Sequence, residues 1–460
     1  MDGRQAAVNG LSATNHPGRA DLQPRECSPL RASHHQGQFD VLVVGGGPAG
    51  STVSALLAAR GEKVLLVEKD RHPRFHIGES LLPMNIPLFE ALGIKDEVAQ
   101  IGLAKYGVEF VSPYHGKAMT LDFAQAWDKS LPYAYEVRRS EFDRILFRNA
   151  AAKGATVIEG CRVTEIEFPP AGGVVATARD ADGQILRFEA RFLVDASGRD
   201  TLLAGRLAIK ERNRRHASAA VFAHYTGARR LAGKAEGNIS IFWFDHGWFW
   251  FIPLADGTTS VGAVCPPAFM KTRKTDVTSF LESLVLQCPA LAARLADAQM
   301  AGPATATGNY SYRATQMTGK NFILLGDAYA FIDPVVSTGV YLAMKSAFLG
   351  ADAVSAHLHQ PRSVAERASR RFEAEMLDAL ARFSWYIYRI NSPAMRDLFM
   401  APKNWFRMQE AIMSLLSGDV FEPSPIRSRL LLFKGIFYVK RFLLRQAGRF
   451  VPPPNPRPQA

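Results

Sequence analysis

The chain has little cysteine. Its four cysteines, Cys27, Cys161, Cys265 and Cys288, form no Cys-x-x-Cys pair and follow no regular spacing. This excludes a disulfide framework and a cysteine-based zinc site, and it is read as a protein of a reducing, cytoplasmic compartment. Residues 1–37 lack an apolar stretch and are rich in small and polar types, which argues against a signal peptide or anchor and predicts a disordered tail. No His/Asp/Glu cluster suggests a metal, and no internal repeat is visible. Acid is absent from residues 427–449, a stretch that holds seven Lys/Arg. Without that stretch the formal charge of +12 falls to about +5, so the basicity is local and no nucleic-acid partner is expected. What is present is a 460-residue chain with 47% hydrophobic content, enough for one elaborate domain or two interlocked ones.

The apolar run at 39–44 predicts a parallel strand. Gly45-Gly46-Gly47-Pro48-Ala49-Gly50 follows, then an Ala/Leu-rich helix over about 51–60, the helix-stopping Gly61, and a strand over 63–68. In this βαβ unit Gly45 allows the tight turn, Gly47 lets the backbone approach a pyrophosphate, and Gly50 allows close helix–strand packing. The helix N-terminus, with Pro48, Ala49 and Ser51 around it, offers N–H groups and positive dipole to the phosphates. Glu68, with Lys69 beside it, is placed to accept from ribose hydroxyls. A bound dinucleotide is therefore expected. No second complete Gly-x-Gly-x-x-Gly is present, so no dedicated nicotinamide domain is expected.

Further strands are predicted over 156–159, 191–195 and 238–244, the last turning through Asp245-His246-Gly247 into Trp248-Phe249-Trp250-Phe251-Ile252-Pro253. Two tryptophans one residue apart point to the same face of a strand, and Pro253 forbids a continuing central ladder. Residues 322–325 predict a buried strand ending at Gly326-Asp327, and a helix should begin near Ser337 or Thr338. From about 355 to 450 the pattern is helical, and 451–460 is a proline-rich tail.

Leu324-Leu325-Gly326-Asp327-Ala328 resembles a flavin-contacting strand end of the flavoprotein monooxygenases of the p-hydroxybenzoate hydroxylase type. That resemblance implies FAD as the dinucleotide, with Asp327, next to Gly326, on the ribityl chain. Glu136-Val137-Arg138-Arg139-Ser140-Glu141-Phe142-Asp143 resembles the arginine-containing helix start of the same superfamily, which implies Arg139 near the FAD; a surface helix charge is the alternative. Leu193-Val194-Asp195-Ala196-Ser197-Gly198 resembles a third nucleotide-proximal strand end, and a plain strand-to-turn role for Asp195 is the alternative.

Within that superfamily, Trp248-x-Trp250-x-Ile252-Pro253 is similar to the WxWxIP motif of flavin-dependent halogenases. Gly78-Glu79-Ser80-Leu81-Leu82-Pro83 resembles their GES/GEA segment, implying cofactor contact by Gly78, Glu79 and Ser80. Asp333-Pro334-Val335-Val336-Ser337-Thr338-Gly339-Val340 resembles their flavin- and halide-binding turn. It implies Pro334 at the flavin and Ser337, Thr338 and Gly339 at the halide, with a plain helix cap as the alternative. Lys105, in Ala-Lys-Tyr-Gly-Val-Glu-Phe, looks like the family's essential lysine.

The implied fold is α/β: a Rossmann-like FAD-binding domain over 38–354, an interleaved antiparallel substrate sheet (about 100–130 and 205–315), and a helical region over 355–450. The implied chemistry is oxidation of chloride or bromide to hypohalous acid, which meets Lys105 as an ammonium or as a haloamine-forming amine. Trp248 and Trp250 would wall the flavin from the substrate; plain core packing is the alternative. His76 reads as structural. In tryptophan halogenases a glutamate stands two positions before the halide-binding threonine, where this chain has Val336. A phenol can lose its own proton and needs no such acid, so an electron-rich, phenolic ring is the expected substrate, free or on an acyl-carrier protein. Reduced FAD is expected from a separate flavin reductase. The basic stretch 428–450 fits a carrier protein, peripheral membrane contact, or an ordinary packed helix. A monooxygenase or geranylgeranyl-reductase-like oxidoreductase is the alternative activity, and a non-catalytic flavin-binding subunit the third.

Overall fold

A computed structural model describes residues 38–447 apart from 214–215, 309–310 and 422–424. The expected tails at 1–37 and 451–460, and Cys27, lie outside the described residues.

Strand Phe39–Val44 lies at the centre of a parallel sheet, between Val64–Val67 on one side and Ile185–Asp195 on the other. Thr156–Ile158 and Phe322–Leu324 extend the sheet in parallel at either end. Val41, Leu42 and Val43 are fully buried, so successive side chains of the strand are covered on both faces. That is why these strands read as continuous apolar runs. The helix after the glycine turn spans Pro48–Ala59, starting earlier than expected because Pro48 is pre-set for a first helical position. Strand Ile185–Asp195 also starts six residues earlier than the expected 191. Its first half pairs antiparallel with Val174–Asp180 and alternates between exposed and buried positions, so it carries no apolar run to detect.

The second sheet runs in the order Gln299–Met300, Ala219–Thr226, Thr259–Cys265, Gly247–Pro253, Ile239–Phe244, Gly107–Ser112, Lys117–Asp122. Strand Gly247–Pro253 is central. The hairpin closes with Phe244 opposite Gly247 across Asp245 and His246. Pairing with Ile239–Phe244 stops at Phe251, whereas on the other side it continues to Pro253 opposite Thr259. The proline thus falls where one neighbour has ended. Trp248, Trp250 and Ile252 belong to the main core, while Phe249 and Phe251 face a second core closed by helix Val277–Leu286. A strand buried on both faces needs apolar residues at every position.

A short antiparallel ribbon, Leu103–Lys105 with Ala134–Glu136, sits apart from both sheets. Helix Thr338–His359 packs against Pro48–Ala59 and against Arg362–Ile387. The expected boundary at 354/355 falls inside the helix Thr338–His359. Among the described residues, no helix is long and apolar enough to cross a membrane.

Candidate active site

Beyond the carboxyl ends of the parallel strands lies a cleft of about 500 Å³, where open α/β sheets hold their ligands. Gly45 takes a φ of 103°, and a Cβ there would lie 2.4 Å from the Ala196 carbonyl oxygen. A Cβ on Gly50 would lie 1.8 Å from the Gly45 carbonyl oxygen. Gly50 and Ser51 do not line the cleft; Gly50 lets the helix close on the turn, and Ser51 Oγ donates to the Gly46 carbonyl at 3.0 Å. Gly45, Gly47, Pro48 and Ala49 do line it. No side chain caps the helix that follows, so its first-turn amides are left for a ligand. Glu68 accepts from Gly46 N at 2.6 Å and from Asp70 N at 2.9 Å, which fixes a carboxylate at the cleft wall. Lys69 lines the cleft and pairs with Asp200 at 2.5 Å.

Arg139 is 5% exposed, which excludes the surface-charge alternative. It donates to Asp143 Oδ1 at 2.8 Å and to the Ile77 carbonyl at 2.7 Å, pinning the segment that carries Gly78, Glu79 and Ser80 into the cleft. Gly78 (φ 98°) avoids a Cβ that would stand 2.9 Å from Arg139 Nη1. His76 is driven down to about 4 by burial, with the Arg139 charge adding to the effect, so it stays neutral at physiological pH. Asp195 accepts from Ser197 N and Leu203 N and does not line the cleft, so the strand-to-turn role holds for it.

At the other end, Asp327 faces the cleft and burial pushes its carboxyl up to about 7, against the pull of Arg199 and Arg139. Ser337 and Gly339 also line the cleft. Gly326 and Thr338 instead line a smaller adjacent cavity that shares Asp327 and Gly339 with it. Pro334 begins the short 3-10 turn Pro334–Val336. Ser337 stands at φ 58° before helix Thr338–His359 with no side-chain capping bond, so a plain cap hydrogen bond is not what it supplies. Trp248, Trp250 and Ile252 line the cleft, and Pro253 does not. The Trp250 ring lies over Gly262, where a Cβ would meet it at 2.3 Å, and its Nε1 donates to Ser260 Oγ at 3.1 Å.

Lys105 stands apart. It is 1% exposed and does not line the cleft. Its Nζ donates to Ser80 Oγ at 2.7 Å and to the Leu81 carbonyl at 3.0 Å, and lies 3.8 Å from Glu136 Oε1. Burial holds Lys105 below the usual lysine range, against the pull of Glu136. Burial pushes the Glu136 carboxyl up to about 8.

Arg74, Phe75 and Arg199 line the cleft without having been singled out. Arg199 directly follows the Asp195–Gly198 segment, which was the available signal; Phe75, 59% exposed on a loop, left none.

The glycine cradle, the uncapped helix start, Glu68 and Asp327 fit FAD. They define a flavoprotein of the monooxygenase type. A sequence model of the tryptophan halogenase family matches residues 40–126 and 100–392, and the chain belongs to the flavin-dependent halogenase family. It is 37% identical over 323 residues to a tryptophan 2-halogenase of Chondromyces crocatus, covering 68% of this chain and 60% of that protein, so it spans less than two thirds of that relative. It is 28% identical over 408 residues to a 1H-pyrrole-2-carbonyl-[peptidyl-carrier protein] chlorinase of Pseudomonas fluorescens, covering 83% of this chain and 90% of the relative. The solved structure of the myxobacterial chondrochloren halogenase CndH matches with a TM-score of 0.71 and 30% identity, over 90% of this chain and 98% of that one.

Proposed function

We propose that this chain is a FAD-dependent halogenase that uses reduced flavin, dioxygen and chloride or bromide to halogenate an electron-rich aromatic ring. When bound, reduced FAD with dioxygen supplies the oxidising equivalent that turns halide into hypohalous acid. The observation that carries the reading is the position of Lys105, outside the flavin cleft yet bonded to Ser80, which lines it. A lysine so placed is within reach of a small oxidant leaving the cleft and out of reach of the cofactor ring. Trp248 and Trp250 fill the cleft wall with bulk that keeps a ring substrate from the flavin. Ser337 and Gly339 bring hydroxyl and N–H donors to the cleft at a helix start, chemistry suited to a halide.

Val336 puts no carboxylate beside the turn, which favours a phenolic ring that stabilises its own cationic intermediate. Reduced flavin comes from a separate reductase, in keeping with the single glycine motif. Helix Ile426–Gln446 buries Ile426, Leu430, Phe433 and Phe437 and turns Leu431, Val439, Phe442 and Leu443 outward among its basic residues. This mixed apolar and basic face suits an acidic carrier protein that presents a tethered substrate, and the Pseudomonas relative's name speaks of such a carrier. Among the described residues, three free, buried cysteines agree with a reducing, cytoplasmic setting.

The test is mass spectrometry of phenols, pyrroles, tryptophan and carrier-bound hydroxybenzoyl groups, with FAD, a flavin reductase, oxygen and either halide. Hydrogen replaced by halogen on a phenol is expected. Addition of oxygen or of two hydrogens would overturn the reading in favour of a monooxygenase or reductase. Halogenated tryptophan alone would overturn the substrate assignment. Binding to phosphatidylserine vesicles with no binding to carrier would overturn the carrier reading of the last helix.

A further inference from the structure

Lys105, Ser80 and Glu136 are brought together by strand register. In the ribbon, Lys105 pairs with Ala134 and Leu103 with Glu136, so Lys105 and Glu136 are diagonal neighbours on one face. Ser80 forms an antiparallel bridge directly opposite Glu136. The result is a chain of polar atoms: Lys105 Nζ to Ser80 Oγ at 2.7 Å, then Ser80 Oγ to Glu136 Oε1 at 3.1 Å. Lys105 and Glu136 are 1% and 0% exposed, and Glu136 Oε2 has no hydrogen-bond partner among the described residues. A fully buried carboxyl with one oxygen unmatched is costly unless the group has other work.

We propose that Glu136 is the proton partner of Lys105, the two sharing one proton through the Ser80 hydroxyl. This rests on the reading of Lys105 as the halogen-transferring lysine. In one state the ammonium donates to Ser80, which donates to a carboxylate. In the other the carboxyl donates to Ser80, which donates to a neutral amine. The exchange converts ammonium plus carboxylate into amine plus carboxylic acid, with no proton taken from solvent. Glu136 touches neither cofactor nor substrate and acts through Lys105, so it is a positioning residue. The raised carboxyl and lowered amine bring the two states within reach of each other. Glu79 is the next ionisable group facing the pair; His224 Nε2 lies 2.8 Å from its Oε1. Tyr135 alternates to the opposite face of its strand.

Lys105→Ala, Glu136→Gln and Ser80→Ala are compared with the native chain at saturating FAD, reading halogenated product from about pH 6 to pH 9 together with FAD affinity. Glu136→Gln removes the counter-charge that holds a proton on the buried lysine. Its product rate is expected to fall by about 100-fold at the alkaline end and to recover towards the native rate as pH falls. Ser80→Ala should lose about 10-fold with the same trend. Native rates in Glu136→Gln at every pH, or an equal loss at every pH, would overturn the proposal. Should Glu136→Gln fail to fold, Ser80→Ala decides alone, and a native or pH-independent profile there overturns it. Product retained in Lys105→Ala would overturn the reading of Lys105 itself, an outcome separate from the other two.

Discussion

The glycine turn and the lysine ribbon both position chemistry, but by different means. The turn Gly45–Gly50 is contiguous, and it works through backbone: a positive φ, close approach to Ala196 and an uncapped helix start. The ribbon collects Ser80, Lys105 and Glu136 from three separate segments, and it works through side chains held by ladder register. The turn tolerates no added atom at Gly45 or Gly50, where a Cβ would meet the Ala196 and Gly45 carbonyls. A register-built site depends on every strand that sets its pairing.

Three substitutions would break or sharpen that contrast, in descending order of effect. Gly50→Ala drives a methyl into the Gly45 carbonyl, so a loss of about 3 kcal/mol and failure to retain FAD are expected, read by thermal unfolding and by cofactor content after purification. Lys105→Met keeps the volume but strips Glu136 of its cation. A carboxyl whose folded pKa is raised binds more protons folded than unfolded; its contribution is full below its unfolded value near 4.5 and is lost as pH rises through the folded value, already about 8. Up to about pH 7 the carboxyl is protonated in both folded chains and their difference should stay constant. Above the native value of about 8 only the variant keeps the proton, so relative to the native chain it should lose about 1 kcal/mol per pH unit from about pH 8 to pH 10, measured by denaturant unfolding at each pH. A difference that stays flat to about pH 10 would mean that the pair is not electrostatically linked. Gly262→Ala presses on the Trp250 ring and should cost about 1–2 kcal/mol, with a shifted tryptophan emission as the local readout.

Phe442→Ser, on the outward face of helix Ile426–Gln446, sits outside both systems and should change stability by less than about 0.5 kcal/mol. If that face receives a carrier protein, the same change weakens carrier binding in a titration while leaving turnover of free substrate unaltered.

The centre of the parallel sheet was legible because Phe39–Val44 and Val64–Val67 are buried on both faces and read as unbroken apolar runs. The half of Ile185–Asp195 that pairs in a partly solvated hairpin was not, since alternation over so few residues is weak. Arg139 could be placed near the cofactor by resemblance, yet only its burial against Asp143 and Ile77 removed the surface alternative. Glu136 stood in a segment already singled out and carried no signal of its own. Its importance comes from the distance to Lys105, and distance across a ladder is not encoded locally.

By itself, the sequence determined the nucleotide turn, the strand and helix that flank it, and the aromatic strand, while the candidate lysine was reached by resemblance. Each of these depends on residues close together in the chain or on a short run of fixed period. Tertiary structure alone decided that the tryptophans and the phenylalanines of one strand serve different cores, and that Gly50 and Ser51 build the turn without touching the cleft. It also decided that Lys105 meets the cleft only through Ser80 with Glu136 at its back. The reason is physical: burial and charge pairing are properties of what comes from elsewhere in the chain, and they exist only once the strands have paired.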